Sequence, residues 1–113
     1  METNAAIRAL AALAQESRLA VYRLLVVAGP AGRSAGDIAE TLGIAPATLS
    51  FHLSQLANAG LVRSRQESRF VFYSADFTAM NDLVGFLTEN CCGGNPCGPV
   101  AVKPVRVRKG IKT

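Results

Sequence analysis

The chain has 113 residues, half of them apolar, which suffices for one domain with a single modest core and excludes two independently packed ones. Its formal net charge is +4, yet five of the twelve basic side chains (Lys103, Arg106, Arg108, Lys109 and Lys112) fall in the last eleven positions, leaving residues 1–102 at −1. Overall basicity is a property of the tail, so nucleic-acid binding has to be argued from local charge and motif.

No apolar run approaches the length of a membrane span; the stretch Ala9 to Ala14 stops at Gln15 and Glu16. The expectation is a soluble, cytoplasmic protein with no membrane contact. Cysteine usage agrees, because three is odd and Cys91 and Cys92 are adjacent. Neighbouring Cα atoms stand about 3.8 Å apart, less than the roughly 4.4–6.8 Å of an ordinary disulfide. Reduced thiols in a cytosol are expected rather than a disulfide framework.

In chain order, Ile7, Leu10, Leu13 and Ala14 recur at helical spacing, and Leu19, Tyr22, Leu25 and Val26 do so again before Gly29 and Pro30. Two short helices with apolar stripes follow from this. Ser34 and Asp37 resemble a capping box that opens a third helix carrying Ile38, Ala39 and Leu42 and ending at Gly43. After a tight turn over Gly43 to Ala45, Pro46 suits the first turn of a fourth helix, and Gly60 suits a left-handed position just past its end near Ala59. Leu61 to Arg65 and Arg69 to Ser74 alternate in part and are rich in Val, Phe, Tyr and Arg, which predicts a hairpin with Gln66, Glu67 and Ser68 between its strands. Asp76 is placed to cap a last helix whose Phe77, Met80, Leu83, Val84, Phe86 and Leu87 cover about half the circumference. That stripe is broad for one small core. Together with the Ala/Leu face of the first helix, its surplus predicts a homodimer interface; a deeply buried core helix is the alternative.

A short helix, a glycine turn, a second capped helix and a hairpin make a winged helix-turn-helix, whose second helix enters the major groove of DNA. The expected fold class is therefore mainly α with a β-hairpin wing, homodimeric, and the expected partner is double-stranded operator DNA. With Leu49 set at 0°, Leu53 and Leu56 fall within about 40° of it and form a buried seam. Ala47, Phe51, Ser54 and Asn58 point the opposite way, flanked by Thr48, Ser50 and Gln55. Small and hydrogen-bonding side chains approach base edges closely, and Phe51 suits thymine methyl groups. Residues 43–75 hold Arg63, Arg65 and Arg69 against the single acid Glu67, a local positive balance. Arg65 and Arg69 flank the hairpin tip, where they can reach phosphates or the minor groove. His52, the sole histidine, lies about 60° from the seam and is open to either packing or DNA contact. The predicted DNA-binding set is thus Ala47, Thr48, Ser50, Phe51, His52, Ser54, Gln55, Arg65 and Arg69.

The runs Leu13-Ala-Gln-Glu-Ser-Arg-Leu19, Asp37-Ile-Ala, Thr48-Leu-Ser-Phe-His-Leu-Ser-Gln-Leu56 and Ala59-Gly-Leu-Val62 resemble the ArsR/SmtB family of metal-sensing repressors over roughly residues 5–90. The resemblance implies a winged-helix homodimer that binds a palindromic operator and is released by its inducer. Many members carry a Cys-x-Cys box on the helix that here reads Gly36-Asp-Ile-Ala-Glu40; that site is absent, so sensing must be located elsewhere.

The segment Asn90-Cys-Cys-Gly-Gly-Asn-Pro-Cys-Gly98 places three thiols within seven residues, among glycines that let the chain fold back on an ion. Trivalent arsenic or antimony takes three sulfurs in a pyramid and needs no fourth ligand. Zinc fits less well, since closed sites take four ligands. The thiol count alone leaves Cd, Pb, Bi and Cu(I) open. Some arsenic-responsive members of the resembled family place a Cys-Cys pair and a third Cys just beyond the last helix, and Cys91, Cys92 and Cys97 match. As(III), with Sb(III) as an alternative, is thus the expected inducer, and no organic cofactor is implied. The domain reading is a DNA-binding and dimerisation domain at 1–90, a cysteine metalloid-binding segment at 91–98 and a basic flexible tail at 99–113. A thiol redox-sensing repressor on the same scaffold is the alternative function. An enzyme is not expected, because a Cys-x5-Arg cradle, a Ser/His/Asp set and paired carboxylates are all lacking.

Overall fold

The structure is a computed structural model that describes residues 1–94; Cys97 and the basic tail lie outside the described residues. Helices α1 (Thr3–Leu13) and α2 (Glu16–Ala28) come first, followed by the strand β1 (Arg33–Ser34). The helix pair α3 (Ala35–Leu42) and α4 (Pro46–Asn58) leads into the hairpin β2 (Val62–Glu67) and β3 (Phe70–Ala75), then α5 (Phe77–Leu87) and a 3-10 turn over Cys91–Gly94. This is the mainly helical architecture with a hairpin wing that the sequence predicts.

Side chains start three of the helices. Gln15 accepts from the Arg18 N–H at 2.8 Å, Ser34 from the Asp37 N–H at 3.2 Å, and Asp76 from the Ala79 N–H at 3.0 Å. A cap of this kind contributes about 1 kcal/mol. The box at α3 closes on one side only, because Asp37 accepts instead from Arg33 and from Thr41. The hydrogen bond from Arg33 holds the Asp37 carboxyl below the usual carboxylate range, outweighing the opposing desolvation. Gly43 closes α3 in the left-handed region at φ 66°, and Gly60 follows α4 at φ 78°, as expected of both.

The sheet runs β1-β3-β2, antiparallel throughout, and β2 pairs with β3 from Val62 opposite Ala75 to Glu67 opposite Phe70. The hairpin turn is tighter than the sequence suggests. Gln66 and Glu67 belong to β2, and only Ser68 and Arg69 lie between the strands, because Ser68 takes up a left-handed φ of 60°. Strand β1 has no signal in the sequence, since two residues carry no alternation to read. A close backbone approach places it: a Cβ on Gly32 would sit 2.2 Å from the Tyr73 carbonyl oxygen, so only glycine lets the chain enter the pairing of Arg33 with Tyr73.

One core joins all five helices to the base of the sheet. Val21, Leu25, Ile38, Leu49, Leu53, Leu56 and Leu61 are its largest fully buried side chains. Helix α1 differs from the expected stripe: Ala6, Ala9 and Ala12 face this core, whereas Ile7 and Leu10 are 57% and 42% exposed. Small side chains let α1 lie close to its neighbours, and the larger ones are left facing outward. Tyr22 is buried on α2, and burial, then the nearby Asp76 carboxylate, raise its phenol above the ordinary value.

Two outcomes test this backbone. Gly32→Ala should lower unfolding free energy by about 2–3 kcal/mol in urea titration, since both φ and the close approach oppose a Cβ; an unchanged midpoint would contradict the β1–β3 approach. Ser68→Gly should raise stability by about 0.5–1 kcal/mol by relieving the left-handed serine, and a loss would show that the turn is built differently.

Candidate nucleic-acid interface

Helices α3 and α4 and the Gly43 turn form the helix-turn-helix. The buried seam of Leu49, Leu53 and Leu56 seats α4 on the core. Each fully buried leucine contributes roughly 1.5–3 kcal/mol of transfer free energy, so the rotation of α4 about its axis is firmly set. The opposite face is thereby displayed. Ala47, Thr48, Ser50, Phe51 and Ser54 are exposed and Gln55 is half-buried, so six of the predicted contact residues share one surface. Phe51 is 57% exposed, a large apolar side chain held out among hydroxyls.

His52 is placed differently from its neighbours. It is 7% exposed, its Nδ1 has no hydrogen-bond partner among the described residues, and its ring lies 5.8 Å from that of Phe51. The structure thus sets it on the packed side of α4, away from the displayed face.

The two wing arginines also differ. Arg65 is tied into the domain: it donates at 2.8 Å to the Ala31 carbonyl, pairs with Glu67 at 2.8 Å and lies 5.0 Å from the centre of the Phe72 ring. These interactions pin the loop before β1 to the wing. Arg69 stands exposed at the hairpin tip, and neither it nor Arg63 makes an ion pair among the described residues. The predicted basic wing is therefore one anchored cation beside two that are open to an anion.

Helix α5 leaves much of its broad stripe uncovered. Leu83 is buried, but Val84 and Leu87 are 55% and 57% exposed. Val84 lines a groove of about 420 Å³ together with Leu13, Leu19, Tyr22, Met80 and Leu83, among others. At its other end α5 is bonded to the base of the wing: the Asp76 N–H donates at 2.8 Å to the Leu61 carbonyl, just beyond α4.

The cysteine segment follows α5 directly. Asn90 and Cys92 hold left-handed φ values of 58° and 57°, which turn the chain sharply. Cys91 and Cys92 are exposed, with their Sγ atoms 3.7 Å apart. Three sulfurs bound at about 2.3 Å lie roughly 3.3–3.8 Å from one another, so this pair fits two corners of a trithiolate centre. Cys97 lies outside the described residues.

Among the described residues, no helix is long and apolar enough to cross a membrane. A helix-turn-helix domain family matches residues 13–65. The transcriptional activator HlyU of Vibrio cholerae is 32% identical over 97 residues, covering 84% of this chain and 87% of that protein. An ArsR-like transcriptional regulator from Rhodococcus sp. RHA1 superposes with a TM-score of 0.70 at 26% identity, over 80% of this chain and 83% of the other. The homodimeric winged helix-turn-helix DNA-binding domain of Mb0332 from Mycobacterium bovis does so with a TM-score of 0.62 at 27% identity, over 81% and 85% of the two chains. With its seated reading helix, its wing and these relatives, the chain belongs to the ArsR family of winged helix-turn-helix transcriptional regulators, DNA-binding proteins and not enzymes.

Proposed function

We propose that the protein is a cytoplasmic homodimeric repressor that holds a palindromic operator through α4 and releases it when trivalent arsenic, or antimony, is captured by Cys91, Cys92 and Cys97. The observation that carries this reading is a pair of sulfurs at metalloid spacing directly beyond α5, the helix with an unpartnered apolar face. Two copies joined through the exposed sides of α1 and α5 would bury Ile7, Leu10, Val84 and Leu87. They would also hold two reading helices at the spacing of successive major grooves, about 34 Å along the duplex. The homodimeric Mb0332 domain supports this arrangement.

Capture exchanges hydroxide for thiolate. Each of three thiols gives its proton to a hydroxide on arsenous acid, three waters leave, and three As–S bonds form. Gathering the sulfurs reshapes the end of α5, and the bond from Asp76 to Leu61 passes a shift of that helix to the exit of α4. Operator affinity then falls by the coupling free energy, commonly about 1–3 kcal/mol or 5–150-fold, and linkage requires operator DNA to weaken metalloid binding by the same factor.

The same two exposed, adjacent sulfurs favour a second reading, a redox-sensing repressor. In it, two thiols lose two protons and two electrons to a peroxide, which leaves as water, and the new disulfide sets the operator-free state. A gel-shift titration of the reduced protein on its operator with arsenite, antimonite, zinc and peroxide separates the two. Release by arsenite and antimonite supports metalloid sensing, and release by peroxide alone supports the redox switch.

Cys91→Ser should bind operator as the wild type does and lose the response to arsenite; a full response would refute the thiol assignment. Leu87→Glu should shift the protein to monomer in sedimentation velocity and weaken operator binding at least tenfold. A dimer of undiminished stability would place the interface elsewhere.

A further inference from the structure

At the far end of α4 from the Gly43 turn, α1 crosses the reading helix and encloses a cleft of about 360 Å³ lined by Arg8, Ala11, Ala12, Arg18, Gln55, Asn58 and Ala59. Two guanidinium groups and two side-chain amides supply its polar surface, and no carboxylate lines it. Arg18 donates its Nε to the Ala12 carbonyl at 2.7 Å, which fixes the guanidinium and leaves its terminal nitrogens outside that bond. Arg8 is exposed and takes part in neither of the ion pairs found among the described residues, Arg33 with Asp37 and Arg65 with Glu67. Asn58 stands three residues beyond Gln55, so the cleft continues the polar strip of α4 from its half-buried Gln55 onto α1.

We infer that this cleft is a clamp for one backbone phosphate of the operator, with Arg8 supplying the charge and Arg18, Gln55 and Asn58 the fixed donors. Forked guanidinium donors suit a phosphodiester oxygen pair, and amides hydrogen-bond the same oxygens without carrying charge. Such a clamp holds α4 in register along the groove but reads no base. It adds a positioning anchor that neither the wing nor the displayed face of α4 contains. The inference rests on the proposed operator binding through α4.

The test uses the full chain and a duplex selected by the wild-type protein from a randomised pool. Arg8→Gln should weaken binding to the selected duplex and to unrelated duplexes by the same factor. It should also make the plot of log affinity against log salt shallower by about 0.9 for each phosphate no longer neutralised, close to two units per homodimer. A methylphosphonate placed at each backbone position in turn should reveal one site per half-operator where the wild type loses affinity and Arg8→Gln does not. An unchanged slope, or loss of base discrimination at constant slope, overturns the clamp. So does inorganic phosphate binding to the free protein at Arg8 while the DNA slope stays constant, since the cleft would then be a small-anion site. Failure of the wild type to enrich any duplex would strike the proposed operator binding itself, a result distinct from these.

Discussion

The molecule depends on one hydrophobic seam. Leu49, Leu53 and Leu56 leave water together, and with a helical repeat of about 100° per residue their burial sets the rotation of α4. Everything α4 displays follows from that constraint: the same rotation that hides three leucines exposes Ala47, Thr48, Ser50, Phe51 and Ser54. It also explains His52. A side chain about 60° from the seam is drawn into the packed flank by its neighbours, and a polar ring nitrogen remains there without a partner among the described residues.

Charge is divided in a similar way. A domain whose described part is nearly neutral can still bind a polyanion if its cations are not engaged by its own acids. Arg33 and Arg65 are engaged, the first by Asp37 and the second by Glu67, Ala31 and Phe72. Arg8, Arg18, Arg23, Arg63 and Arg69 take part in no ion pair among the described residues. These cations lie on α1, α2 and the wing and none on α4, so any attraction they exert on phosphates comes from elements other than the proposed reading helix.

The apolar surface is divided as well. Alanines on α1 meet the domain core, and the larger Ile7 and Leu10 face outward with Val84 and Leu87 of α5. A chain this small leaves that much aliphatic surface in water only at a cost, which pairing with a second copy would remove. Because α5 carries the exposed face, is bonded at its start to the exit of α4 and is followed a turn later by Cys91 and Cys92, the proposed dimer contact and the proposed sulfur chemistry share one element.

Much of this was legible in the order of residues alone. The caps at Ser34 and Asp76, the glycines past α3 and α4, the leucine seam and the adjacent cysteines all depend on neighbours within a few positions, and such local chemistry is written directly in the chain. What only tertiary structure decided involves residues far apart in sequence. Gly32 against Tyr73 creates a strand that no pattern announces, Ala31 captures Arg65 across the wing, and Arg8 and Asn58 come to line one cleft between α1 and α4. Which stripe of α1 turns inward was likewise settled by packing, because periodicity marks an apolar face but cannot say whether its partner is this core or a second molecule.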